Sequence, residues 1–467
     1  MIYMVKIGLE IHCQLNTKSK LFCSCSTNIS EKEPNSETCP VCLGFPGYKP
    51  VVNKKAIDFT IGIGIALGCT ISNETFFSRK TYFYPDMSKN FQITQYEIPI
   101  ATGGSIDIEG NKIRIRRVHL EEDPAKIVYA NGDISTTEYT LIDYNRSGIP
   151  LAEIVTEPDI ETPKEARKLL EKISAILEYL NVYDVSKEAS LRVDANISSE
   201  GERVEIKNIT GFENVEKALS YEVIRQKSMT RMKKVIERET RHFDETTRTT
   251  KGLRKKEYEE DYGYIFDPDL PSIRIDDAWI NSIKDNLPEL PDNKVKRFVG
   301  EYKISDYDAG VIAYTGKDMA DFFEDCCKIY KRYDNISKWI INYLLKSLNW
   351  NSQKVSESKV KPNTFIELLE IMDNGEITER YAKELIKEYV DSGISPRALA
   401  KKNEFKVTDA ELKKTVEGIL KENEKALEDL KAGKENAKQY IIGLVLKATN
   451  NQANPKLIIK IMEELIH

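Results

Sequence analysis

The residue pattern changes character near Asp292, and this divides the chain into two kinds of structure. Before that point, short stretches with period-two alternation are interleaved with helical runs. Beyond it, nearly every segment reads with a helical period. Lys6 to His12 is a strand in which Glu10 and His12 share one face. Asn53 caps a helical run from Lys54 to Cys69. Ser105 to Ile108 and Lys112 to Leu120 form a hairpin around Gly110-Asn111, and Ile127 to Tyr129 and Ile134 to Leu141 form another around Asn131-Gly132. Thr162-Pro163-Lys164-Glu165 opens an amphipathic helix to Leu180 with a capping box and a proline at its first position. Leu191, Val193, Ala195 and Ile197 alternate with Arg192, Asp194 and Asn196, and a helical pattern runs from about Asn214 to Arg238. The span from Asp267 to Asp292 holds Pro268, Pro271, Pro288 and Pro291 and reads as a linker. The expected class is therefore α+β: an N-terminal domain (1–292) of mostly antiparallel sheet with helices, an all-α helical domain (293–355) and a small all-α tail domain (356–467).

A chain of 467 residues with 40% hydrophobic and 31% charged residues can bury a sizeable core, and its lysines and glutamates suit an ion-pair-rich surface. The apolar stretch from Ile57 to Cys69 is too short to span a bilayer. The N-terminus shows no basic segment followed by an apolar one, so the expectation is a cytoplasmic protein. The net charge of −6 speaks against a nonspecific nucleic-acid coat but leaves room for an RNA recognised by shape.

Three features bear on chemistry. Four of the eight cysteines, Cys23, Cys25, Cys39 and Cys42, lie within twenty residues. Two close thiol pairs separated by thirteen residues suit a tetrahedral Zn2+ site, and four thiolates leave no open position, so its role would be structural. The alternative is four free thiols. Second, acidic groups sit in apolar strands: Glu10 beside His12, the run His119-Leu-Glu121-Glu122-Asp123, Glu153 within Leu151-Ala-Glu-Ile-Val155, and Asp194. A charge in such a setting is costly unless paired or metal-bound. Carboxylates from several strands suit Mg2+, while a salt bridge to Arg146 or Arg192 is the plainer account. Third, no phosphate-loop glycine pattern occurs; Gly62, Gly64 and Gly68 lie in a helical run and read as close packing. No nucleophilic triad or Cys/His pair marks a glutaminase, so any ammonia consumed must come from another chain.

Taken together, several segments resemble a known family. Ile7-Gly-Leu-Glu-Ile-His12, Arg79-Lys-Thr-Tyr-Phe-Tyr-Pro-Asp86, His119-Leu-Glu-Glu-Asp123 and Asp143-Tyr-Asn-Arg-Ser-Gly-Ile-Pro-Leu-Ala-Glu-Ile-Val-Thr-Glu-Pro-Asp159 are similar to signatures of the GatB/GatE family of tRNA-dependent amidotransferases. So are Ser190-Leu-Arg-Val-Asp-Ala-Asn196, Glu205-Ile-Lys-Asn208, Glu239-Thr-Arg-His-Phe-Asp244 and, near the end, Lys447-Ala-Thr-Asn-Asn-Gln-Ala-Asn-Pro455. The resemblance covers nearly the whole chain, and its length fits the B type, which lacks the E type's large insertion.

The resemblance implies an ATP-dependent ligase that phosphorylates the side-chain carboxylate of misacylated Asp-tRNA(Asn) or Glu-tRNA(Gln) and amidates it with ammonia released by a separate glutaminase. It also implies a catalytic cradle at 1–292, a tRNA-binding tail at 356–467, and a heterotrimer with an amidase (the A component) and a small C component. A non-discriminating aminoacyl-tRNA synthetase is a further expected partner. It carries metal ligation onto Glu10, His12, Glu122 and Glu153, with Asp194 close by and Glu121 the alternative to its neighbour Glu122. Lys80, Tyr82, Asn145, Arg146, Arg192, Asn196, Lys207 and Asn208 become candidates for contacting ATP or the aminoacyl-adenosine end. The competing reading is a non-catalytic tRNA-binding scaffold of the same complex.

Overall fold

A computed structural model of the chain describes residues 5–130, 137–185, 187, 190–199, 201–255, 263–402, 409–431, 434–449 and 455–466. It forms two compact units, Met1–Leu290 and Pro291–His467.

The first unit opens with strand β1 (Lys6–Gln14), helix α1 (Lys54–Ala66) and the short strands β2 (Thr70–Ile71), β3 (Glu74–Thr75), β4 (Ser78–Thr81) and β5 (Phe91–Thr94). The hairpin β6 (Ala101–Ile108) and β7 (Asn111–Glu122) follows, then β8 (Lys126–Tyr129), β9 (Thr140–Asp143) and β10 (Pro150–Thr156). After helix α2 (Pro163–Tyr179) come β11 (Leu191–Ser198), β12 (Val204–Ile209), helix α3 (Phe212–Arg231), β13 (Glu239–Asp244), β14 (Thr249–Lys255), β15 (Gly263–Phe266), β16 (Ile273–Arg274) and helix α4 (Asp277–Lys284).

Among the described residues, twelve strands make one sheet in the order β14-β13-β12-β11-β1-β10-β7-β5-β4-β15, with β6 on β7 and β2 on β6. The pairings are antiparallel except β12 with β13, so the sheet is mostly antiparallel, as the sequence indicates.

Alternation decides the two faces. Ile7, Leu9, Ile11 and Cys13 of β1, Ala152 and Ile154 of β10, and Val193, Ala195 and Ile197 of β11 are buried in a core shared with α1, α2 and α3. The intervening residues form the opposite, polar face.

The expected helices start where their caps place them. The Asn53 side chain accepts from Lys55 N, and Thr162 Oγ1 accepts from Glu165 N. Gly64 is where α1 approaches the sheet: a Cβ there would lie 2.7 Å from the Ala101 side chain, so the close-packing reading of these glycines holds at this position.

Several local readings shift. The β6–β7 turn falls on Glu109-Gly110, both with positive φ, one residue earlier than expected. β8 pairs with β9 at Thr140–Asp143, and Thr137 to Tyr139 are not strand; the expected Asn131-Gly132 turn and strand start at Ile134 lie outside the described residues. α3 ends at Arg231 rather than Arg238, where Lys233 takes a left-handed conformation.

The Asp267–Asp292 span is not a linker. Leu270 and Ile275 are buried, Trp279, Ile280, Ile283 and Leu290 pack on the core, and Trp279 Nε1 donates to Asp58 Oδ1 at 2.7 Å. The prolines punctuate short elements there instead of keeping the chain extended.

Among the described residues, every element of the second unit is a helix. Phe298, Tyr302 and Phe323 pack together, and Phe365 meets Phe322 edge-on. Towards the C-terminus a small separate core gathers Leu412, Val416, Leu420, Ile441, Val445, Ile458 and Met462. No described helix is long and apolar enough to cross a membrane.

Candidate active site

Register carries acidic and basic side chains from four adjacent strands into rows on the sheet's polar face. His12 of β1 lies opposite Glu153 of β10 on one side and Arg192 of β11 on the other, and Glu153 lies opposite His119 of β7. Glu10 faces Asp194 in the next row. A bulge between Val193 and Ala195 sets β12 so that Glu205 joins this row from Asn196's side.

Two groups result. In one, His12, Glu121 and Glu153 each offer a ligand atom, all within 4.8 Å of one another; in the other, Glu10, Asp194 and Glu205 do the same. His12 Nε2 stands 3.5 Å from Glu121 Oε1 and 3.8 Å from Glu153 Oε2, beyond normal hydrogen-bond length, whereas His119 Nε2 is 3.1 Å from Glu153 Oε2.

The electrostatics of this face are strained. Burial, then the charges of Glu153, Asp194 and Glu205, raise the pKa of Glu10 above the usual carboxylate value. Burial and Glu153 do the same to Glu121. Burial opposes a charged His12, yet Glu153, Glu121 and Asp194 together raise its pKa. At Glu153 burial is outweighed by His119 and His12, which keep it ionised; at Asp194 burial is outweighed chiefly by Lys207. Lys207 in turn is held protonated by Asp194. Glu10 and Glu121, out of water and facing other carboxylates, make an environment that a small divalent ion relieves. The carboxylate oxygens suit Mg2+ or Mn2+, with the His12 imidazole a less usual ligand for Mg2+.

Glu122, expected as a ligand, is not in this group. On β7 it shares the parity of Leu120 and points to the sheet's other face. There it is ion-paired with Lys89, its Oε1 accepts from Ile93 N at 2.9 Å, and it is buried. Glu121, with the parity of His119, takes the place assigned to Glu122. The expected Glu10, His12, Glu153 and Asp194 lie together on the polar face, as described.

These residues floor a cavity of about 2470 Å³, larger than a pocket for one small molecule. Lys80, Tyr82, Arg146, Arg192, Lys207 and Asn208 line it. Arg192 is fixed by Asp123, at 2.7 Å, and Gln14 Nε2 donates to the same carboxylate. Asn208 contributes its backbone: its N–H donates to Asp194 Oδ1 at 2.7 Å from a positive-φ conformation. Asn196 Nδ2 donates to Glu10 Oε1 at 3.0 Å, orienting that carboxylate. Asn145 has a different task. It accepts from Glu37 N at 2.7 Å and donates to Glu33 O at 2.8 Å, tying down the loop that carries Cys39 and Cys42.

Sequence reasoning did not assign Glu205 or His119 to the site. Both were visible as alternation: Glu205 shares a face with Lys207, and His119 with Glu121.

The four cysteines do converge. Cys23, Cys25, Cys39 and Cys42 each bring a sulfur within 4.8 Å of the others. The wholly buried Lys20 places its ammonium 3.8 Å from Cys42 Sγ and donates to Glu37 O at 2.8 Å. A hydrogen bond from Cys23 and, further, the Lys20 charge bring the Cys42 thiol down to about 5. The donor set fits Zn2+, and Lys20 offsets part of the negative charge that four thiolates would bring.

Comparison with known proteins decides the family. Residues 5–281 match the model of the GatB/GatE catalytic domain, and residues 321–466 match a GatB domain. The chain belongs to the GatB/GatE family. It is 44% identical to the B subunit of the aspartyl/glutamyl-tRNA(Asn/Gln) amidotransferase of Thermotoga neapolitana over 100% of this chain and 99% of that one. It is 45% identical to the protein of that name from Saccharolobus solfataricus and 46% identical to that from Sulfolobus acidocaldarius, in each case over 99% of both chains. The likeness to these B subunits runs along the full length of the chain.

The parity argument makes a prediction. In Mn2+ titration calorimetry of the purified protein, Glu121→Gln and Glu153→Gln weaken divalent binding by at least tenfold, whereas Glu122→Ala leaves it unchanged. Glu122→Ala instead lowers unfolding stability by roughly 3 kcal/mol, because Lys89 is left buried without its partner. In EDTA, Glu121→Gln unfolds at a higher temperature than the wild type, since it removes one of the mutually repelling charges. Loss of Mn2+ binding in Glu122→Ala with none in Glu121→Gln contradicts the assignment.

Proposed function

We propose that this chain is the activating component of a tRNA-dependent amidotransferase: it uses ATP to phosphorylate the side-chain carboxylate of misacylated Asp-tRNA(Asn) or Glu-tRNA(Gln), and the acyl phosphate is then converted to the amide by ammonia. The observation that carries this reading is the cavity floor, where carboxylates and imidazoles from β1, β7, β10, β11 and β12 converge.

The chemistry needs positioning more than covalent catalysis. A side-chain carboxylate oxygen of the aminoacyl group attacks the γ-phosphorus of ATP, and ADP leaves. Ammonia then attacks the acyl carbon, the C–O bond to phosphate breaks, and inorganic phosphate departs. His12, Glu121 and Glu153 would hold a magnesium ion, with Glu10, Asp194 and Glu205 beside them. When bound, magnesium neutralises phosphate charge and aligns the transferring group. Lys207, kept protonated by Asp194, and Arg192, fixed by Asp123, present permanent positive charge to phosphate oxygens. His119 holds Glu153 in its ionised form.

The ammonia comes from a glutaminase, the amidase-type A component, and the assembly includes the small C component. The helical tail, 356–467, would hold the tRNA. Cys23, Cys25, Cys39 and Cys42 would hold a structural zinc ion that braces the loop tied down by Asn145.

Two measurements test this. The assembled enzyme amidates mischarged tRNA with ATP and glutamine; Glu153→Ala loses amidation by at least a hundredfold while glutamine hydrolysis by the partner persists. Full amidation by that variant at millimolar magnesium favours the scaffold reading instead. Elemental analysis of the purified chain finds one zinc per molecule, reduced to a small fraction in Cys39→Ser; an absence of zinc in wild type purified without chelator overturns the metal assignment.

A further inference from the structure

The cavity has two chemically different walls beside its acidic floor. On the β12–β14 side, the lysines Lys207 and Lys251 bring positive charge to the lining, Lys207 paired with Asp194 and Lys251 with Asp244. The β4–β5–β15 side is built of rings. Tyr264 of β15 lies opposite Lys80 of β4, which lies opposite Gln92 of β5, and one row along Thr94 of β5 lies opposite the floor residue Glu121. The row is thus continuous with the carboxylate floor through backbone pairing, so its distance from the floor is fixed.

Tyr264 is stacked on Tyr96, with ring centroids 3.9 Å apart and planes 15° from parallel. Both rings line the cavity and neither is buried. Further out, Phe83 is 79% exposed and Tyr84 47%, on the loop after β4 that also lines the cavity. Ring faces displayed to solvent in succession, with a lysine among them, are how proteins hold unpaired nucleotides: bases stack on the rings and cations meet the phosphates. A mononucleotide triphosphate asks chiefly for positive charge, which the opposite wall provides.

We propose that the stacked Tyr96–Tyr264 pair is a platform for an unpaired nucleobase at the 3′ end of the tRNA, with Lys80 beside it meeting that nucleotide's phosphate. This rests on the functional reading above and adds to it where the RNA end lies: on the ring wall, with ATP on the charged wall. The terminal ribose and its aminoacyl group then extend from the platform towards Glu121.

The test uses the assembled enzyme, comparing wild type, Tyr264→Ala, Tyr264→Leu and Tyr264→Phe in steady-state amidation, varying mischarged tRNA and ATP separately. Removing the ring raises KM for mischarged tRNA about tenfold, the scale of one lost base stack, and leaves KM for ATP within twofold. Tyr264→Leu, which keeps apolar bulk on the edge strand, behaves like Tyr264→Ala, and Tyr264→Phe stays near wild type. An unchanged KM for tRNA in both the alanine and leucine variants overturns the platform while the active wild type preserves the functional reading. A rise in KM for ATP instead assigns the rings to the ATP base and equally overturns it. Wild-type assembly that consumes no ATP on mischarged tRNA overturns the functional reading and the platform with it.

Discussion

The site depends on the pairing of β1 between β10 and β11. An antiparallel register fixes which side chains stand opposite one another, and a one-residue slip would turn every side chain of a strand to the wrong face. Because Ile7, Leu9, Ile11 and Cys13 must be buried, Glu10, His12 and Gln14 must face the cavity. The hydrophobic core therefore enforces the placement of the charged groups. No loop has to find its conformation for Glu10 to meet Asp194 or for His12 to meet Glu153; they are held on strands, the most rigid support available for such a constellation.

That placement has a cost. Carboxylates gathered in a partly dry face destabilise the empty protein, and only some are compensated: Glu153 by His119, Asp194 by Lys207. In the proposed function, the remaining imbalance is what would draw a cation to this face. Away from this face, the same chain neutralises a buried charge closely: Glu222 is enclosed by Arg225 and Arg241. The contrast between this paired network and the polar face of β1, β7 and β10 separates a charge cluster with a structural role from one arranged for a ligand.

Much of this was legible in the residues. Alternation gave the strands around Glu10 and Asp194, capping placed α1 and α2, and the spacing of four cysteines anticipated their convergence. Three things were not. The assignment at Glu122 followed a motif where parity along His119-Leu-Glu-Glu pointed to Glu121, and a strand's two faces are distinguished by that parity alone. The proline-rich span at 267–292 does not read as packed because prolines also punctuate short packed elements, and the burial of Ile275 and the packing of Trp279 on the core come from long-range contacts. The pairing of Tyr96 with Tyr264 joins residues 168 positions apart, through a strand order that local pattern does not reveal.

The central claim is that the polar face of β1, β7 and β10 is a cation site shaped by register. Anomalous diffraction from crystals of the protein soaked in Mn2+ tests it most directly. The account predicts a manganese peak among His12, Glu121 and Glu153. A cation found beside Glu122 and Lys89, or a polar face that stays empty at millimolar Mn2+, would contradict it.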